Sequence, residues 1–79
     1  MARFEKGKGR NKTVWTIGRI GAALRQQETQ GKTAMLPGYR LFPVPVQALA
    51  ELRRLVNQQA AAGFVPADEE AKKLVTTLL

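Results

Sequence analysis

The chain has 79 residues, 44% of them hydrophobic, and carries a formal charge of +7 with neither cysteine nor histidine. That length permits one small domain, which buries only about 60% of its unfolded surface. The missing residue types exclude disulfides and zinc sites of the Cys/His kind. Serine is absent too, so nucleophilic triads built on Ser or Cys with His are excluded and any general base would have to be a carboxylate, a lysine or the tyrosine. The expectation is a protein that is not an enzyme, with no catalytic residue, metal or cofactor assigned. No stretch approaches the roughly 20 apolar residues of a membrane helix. The basic N-terminus is not followed by the apolar segment of a secretory signal. A cytoplasmic protein that does not enter membranes is therefore expected.

The placement of charge is more informative than its sum. Residues 1–40 hold nine Lys/Arg against Glu5 and Glu28, whereas residues 41–79 hold four of each sign. Such a split predicts a polyanion-facing first half and a packing second half.

In chain order, residues 1–12 mix Lys6, Lys8, Arg10 and Lys12 with Gly7 and Gly9. They are read as a flexible basic arm lying along phosphates or in a minor groove, with Phe4 as its one anchor. Residues 13–79 then form a single small globular domain. The β-branched and aromatic run Thr13–Ile17 has strand propensity, yet Ile17, Ile20 and Leu24 recur at helical spacing. Two versions follow: a helix over about 16–29, or a strand over 12–17 before a shorter helix. Trp15 is assigned to core packing ahead of a contact role. Arg19 and Arg25 lie on this segment, and Arg25-Gln26-Gln27 has the side-chain types that read base edges and phosphates.

Gly31-Lys32-Thr33 matches the end of a phosphate-binding loop, but Gln26 stands where the first glycine of that motif belongs, so nucleotide hydrolysis is rejected. Pro37-Gly38 between two short apolar runs predicts a type II turn and a small hairpin near 33–43. A wing of Lys32, Tyr39 and Arg40 could touch a DNA backbone there. Pro43 and Pro45 end the hairpin, and Pro45 suits the first turn of a helix over 46–62. Its apolar stripe is Leu49, Leu52 and Val56. Gly63 closes this helix, and Phe64 and Val65 return to the core. Pro66 and the acids Asp68, Glu69 and Glu70 open a last helix over 67–78 striped by Ala71, Leu74, Val75 and Leu78. The C-terminal Leu78-Leu79 is expected to dock on something.

These elements give an α+β fold: a basic N-terminal arm, a helix, a small β-hairpin, and an antiparallel pair of C-terminal helices. Over 39–78, the run Tyr39–Val44, Pro45 opening a helix with Leu49 and Leu52, and the glycine turn before a second helix resemble the ribbon-helix-helix family. That resemblance implies a dimer whose strand pairs with its twin and turns alternate residues, here Arg40, into the major groove. The arrangement of a helix over 16–29, a hairpin and a further helix resembles winged-helix and excisionase-like proteins.

The function expected from the charge split is nucleic-acid binding, with DNA favoured over RNA, by a small regulatory or accessory protein forming a homodimer. Lys6, Lys8, Arg10, Lys12, Arg19, Arg25, Lys32 and Arg40 are the candidate contacts. The alternative is a protein-binding inhibitor or adaptor of a mobile element or phage, acting on a host protein through Leu41–Val46 and the Gln-rich helix surfaces.

Overall fold

The computed structural model describes residues 1–78. Its centre is an antiparallel sheet, not a helix. Strands β1 (Ala2–Lys6), β2 (Thr13–Ile20) and β3 (Ala23–Gln30) form a meander, with a short 3-10 turn, Gly9–Asn11, between the first two. The short strands β4 (Thr33–Ala34) and β5 (Gly38–Leu41) both pair with β3, and β6 (Val65–Pro66) pairs with β1 at the other edge. Helices α1 (Pro45–Ala61) and α2 (Glu69–Leu78) complete the chain.

The expected arm, first helix and hairpin are all corrected by this sheet. Residues 2–6 are a central strand, because Ala2 and Phe4 alternate inward and are almost wholly buried. Phe4 faces Trp15 across β1–β2, ring centres 5.3 Å apart. The helical spacing of Ile17, Ile20 and Leu24 is a coincidence of two strands. Ile17 and Leu24 are buried, while Ile20 is 86% exposed on the opposite face. Two-residue turns make the reversals. Gly21 precedes Ala22, and Gly31 precedes Lys32, each glycine having positive φ. A positive first φ with a negative second is the sign pattern of the type II′ turns that suit tight hairpins.

The Pro37-Gly38 hairpin does not form. Gly38 lacks positive φ and begins β5 opposite Gln26. β4 and β5 are one edge strand interrupted by a bulge: between the pairs Thr29–Ala34 and Gln26–Gly38, β3 has two residues and its partner has Met35, Leu36 and Pro37. Pro37 falls in the bulge, where no ladder donor is required. The ribbon-helix-helix arrangement is corrected by the same pairing, since the strand over 38–41 already has β3 of its own chain as partner.

Both helices lie on one side of the sheet. α1 packs on β2 and β3, and α2 on β1 and β6, so the expected antiparallel helix pair is replaced by two helices that each rest on strands. The buried stripe of α1 is Ala48, Leu52 and Val56, at the i, i+4, i+8 spacing of one helix face. Leu49, one position round, is 41% exposed. Asp68 caps α2, its Oδ1 accepting the Ala71 N–H at 2.7 Å and the Arg3 N–H at 3.4 Å. Pro66 lies in edge strand β6 instead of opening α2. Ala71, with Leu74 and Val75 beside it, joins the same core as Phe4, Trp15 and Val56. The expected docking of Leu79 lies outside the described residues.

Candidate nucleic-acid interface

Strand alternation divides the side chains between two faces. Ala2, Phe4, Trp15, Ile17, Leu24 and Gln26 point toward the helices. Gln26 is a polar residue at an inward position because its Oε1 accepts the indole N–H of Trp15 at 3.0 Å, which satisfies a donor that would otherwise be buried unpaired. The opposite face carries Arg3, Glu5, Val14, Thr16, Gly18, Ile20, Arg25, Gln27, Thr29, Tyr39 and Leu41, and neither helix covers it.

β1 ends, β2 begins, β3 ends and β4 begins at the same end of the sheet. The connection from β1 to β2 and the Gly31-Lys32 turn therefore lie side by side. The Gly31 N–H donates to the Lys12 carbonyl at 2.9 Å. A Cβ at Gly31 would sit 3.0 Å from the Arg10 carbonyl oxygen, and one at Gly7 would sit 2.9 Å from that of Asn11. Both glycines also have positive φ, so close approach and backbone conformation each demand glycine there. The two turns enclose a groove of about 680 Å³ lined by Arg3, Gly9, Arg10, Lys12, Val14, Gly31 and Lys32.

The fold thus gathers Arg10, Lys12 and Lys32, three of the expected contacts, and adds Arg3, which the sequence reasoning missed. Alternation within Ala2–Lys6, with Ala2 and Phe4 on one side and Arg3 and Glu5 on the other, is the signal that could have found it. Lys8 is exposed at the same end, immediately before the 3-10 turn. The other expected residues lie elsewhere. Lys6 sits 5.9 Å from the Phe64 ring centre, beside Gly63 at the end of α1. Arg40 is on the helix side, bonded to Glu51 Oε2 at 2.6 Å and stacked 4.9 Å from the Phe42 ring centre. Arg19 donates to the Gly21 carbonyl at the far end of the sheet, 2.8 Å away. Arg25 is on the open face, two-thirds of a strand from the groove.

Among the described residues, Glu5 is the one carboxylate that the strands place on the open face. It accepts Lys12 Nζ at 2.5 Å and Arg3 Nε at 3.0 Å. The hydrogen bond from Lys12 leads in holding its carboxyl below the ordinary 4.5, helped by the charges of Lys12 and Arg3 and opposed by partial burial. The remaining acids, Glu28, Glu51, Asp68, Glu69 and Glu70, are on the helix side or on the helices. The strands and turns of the open face therefore hold Arg3, Arg10, Lys12, Arg25 and Lys32 against Glu5, while Glu70 of α2 reaches the end away from the groove, where it pairs with the Met1 amine. Among the described residues, no three His, Cys, Asp or Glu side chains converge as metal ligands. No helix there is long and apolar enough to cross a membrane.

Comparison with protein-family models, with curated proteins and with solved structures gave no match to this chain.

Proposed function

We propose that the protein binds nucleic acid, DNA in preference to RNA, through the open face of its sheet and the cationic groove at one end, as a small accessory or regulatory factor. The observation that supports this is the sorting of charge by the fold. Cations from three separate turns and strands meet at one groove, while nearly all the acids lie on the far side, interspersed there with Lys6, Arg19, Arg40 and the cations of the two helices. A polyanion approaching that end meets a positive field with no competing carboxylate except Glu5, already neutralised by two cations. Phosphate contacts of this kind release counterions. With Arg3, Arg10, Lys12 and Lys32 engaged, the log–log dependence of affinity on salt has a slope of about −3 to −4. Titrating salt against the binding of fluorescently labelled DNA measures that slope. A flat response, or no binding at low salt, contradicts the proposal.

One observation favours a second reading, capture of a protein partner. Leu41, Val44 and Val46 leave the sheet and enter α1 with their side chains exposed, forming an apolar edge separate from the groove. A partner retained after nuclease treatment and released by Val46→Asp would support that reading.

A further inference from the structure

The open face carries a second feature at the end away from the groove. Tyr39 is 71% exposed although it sits within a strand. It contributes nothing to the core, yet its ring has polar partners on the face. Arg25 Nε donates to the Tyr39 hydroxyl at 3.1 Å, and the centre of the guanidinium lies 5.9 Å from the ring centre. The other nitrogens of Arg25 reach the Met1 sulfur at 3.0 Å and Gln27 Oε1 at 3.5 Å. A planar cation and an aromatic ring are thus held side by side on the neighbouring strands β3 and β5. Gly18, opposite Arg25 on β2, leaves room for Met1, whose side chain lies against it, 2.8 Å from where a Cβ would be. They border a largely apolar hollow of about 350 Å³ that also includes Ile20 and Ala23, with Arg19 and Glu70 at its wall, Glu70 being paired with the Met1 amine at 2.9 Å.

Resting on the nucleic-acid reading above, we propose that this face takes single-stranded rather than duplex nucleic acid. One unpaired base stacks on the Tyr39–Arg25 pair, and the backbone runs along the sheet into the Arg3–Arg10–Lys12–Lys32 groove. The geometry allows it. Gly18 on β2 and Lys12 just before that strand are six residues apart, or about 20 Å, the scale of a few nucleotides. Between them the face presents Arg3, Thr16, Gln27 and Thr29, which bond to phosphates, sugars or base edges. A duplex hides the faces of its bases inside its own stack and offers only edges and phosphates. It would leave the tyrosine and the hollow without a partner. Neither helix is free to enter a duplex groove, since both are packed on the reverse of the sheet. Stacking on an exposed aromatic beside a cationic track is the general chemistry of single-strand binding. The hydrogen bond from Arg25 to the Tyr39 hydroxyl favours the ring position that this contact uses.

The test is fluorescence anisotropy of a labelled thymidine oligomer of about 12 nucleotides, its uridine RNA counterpart, and a DNA duplex of the same length. Each is measured with the wild type, Tyr39→Ala and Tyr39→Phe. The single strands are expected to bind at least about tenfold more tightly than the duplex. Tyr39→Ala should weaken them by about 5- to 150-fold, the range of one lost stacking contact. It should leave duplex affinity within about twofold, because that contact involves unpaired bases alone. Tyr39→Phe should retain single-strand binding, since the ring supplies the contact. The DNA and RNA arms identify which polymer the track prefers. Duplex binding equal to or tighter than single-strand binding overturns this inference while leaving the nucleic-acid reading intact. So does a Tyr39→Ala variant that binds the single strands unchanged. Failure of all three probes at low salt overturns both.

Discussion

The two sides of the sheet differ in what holds their side chains. On the helix side, Phe4, Trp15, Ile17, Leu52 and Val56 are packed into one apolar cluster, and Gln26, polar at an inward position, satisfies the Trp15 indole. On the open side, side chains hold one another by hydrogen bonds and ion pairs: Glu5 with Arg3 and Lys12, and Arg25 with Tyr39, Met1 and Gln27. Burial and packing density make the first side responsible for stability. Exposure leaves the second side able to exchange its internal contacts for those of a ligand. One strand serves both purposes by alternation, so stability and binding can be altered independently at neighbouring residues.

The largest separation is expected between Trp15 and Tyr39. Trp15→Ala should cost about 3–5 kcal/mol, enough to unfold a marginal domain of this size, whereas Tyr39→Ala should stay within about 0.5 kcal/mol. Denaturant unfolding monitored by circular dichroism checks both. A similar contrast tests the stripe of α1. Leu52→Ala should cost about 2–5 kcal/mol, and Leu49→Ala less than about 1 kcal/mol because part of its side chain is already in water. Equal losses at the two positions would mean that the helix is rotated from the orientation described.

For the open side, replacing Arg10, Lys12 and Lys32 together with alanine should leave the melting temperature nearly unchanged. The same replacement should reduce the magnitude of the salt slope by about 2 to 3. Gly31→Ala should destabilise by about 1–2 kcal/mol, the cost of a side chain at positive φ, aggravated by the Arg10 carbonyl 3.0 Å from the new Cβ. The smallest effect is expected at Glu5. Glu5→Gln releases Arg3 and Lys12 to phosphate and should tighten binding by about two- to fivefold, within the range of an exposed ion pair. Because the folded-state value of Glu5 is lowered, its contribution to stability is complete above the ordinary 4.5 and is lost as pH falls through the lower folded value. Glu5→Gln should therefore flatten the acid limb of the stability curve. Glu51, lowered chiefly by its hydrogen bond from Arg54, contributes in the same direction.

The helices were legible in the sequence and most of the sheet was not. Pro45 and Gly63 bracket α1, and the acids over 68–70 mark the start of α2, so both helices fall within two residues of their expected bounds. The sheet was obscured for three reasons. Ile17, Ile20 and Leu24 imitate a helical stripe because a two-residue turn separates strands facing opposite ways. The inward positions of β3 after Leu24 are Gln26 and Glu28, so the alternation there lacks its apolar half. Alanine is too small to mark a core position clearly, which hid Ala2 and shifted the α1 stripe from Ala48 to Leu49. The two Gly-X turns were the available signals for a meander. In the site, charge alone singled out Arg10, Lys12 and Lys32. Separating them from Lys6 and Arg40 required the strand faces, since only pairing shows that those two cations point toward Phe64 and Glu51.

The central claim is that ligand binding belongs to the uncovered side of the sheet. Amide chemical-shift mapping of the labelled protein during addition of a short DNA oligomer tests it most directly. Shifts are expected at residues 9–14, 25–33 and 39, with α1 and α2 nearly unmoved. Shifts centred on the exposed surfaces of the helices, or none at oligomer concentrations that saturate other DNA-binding domains, would contradict it.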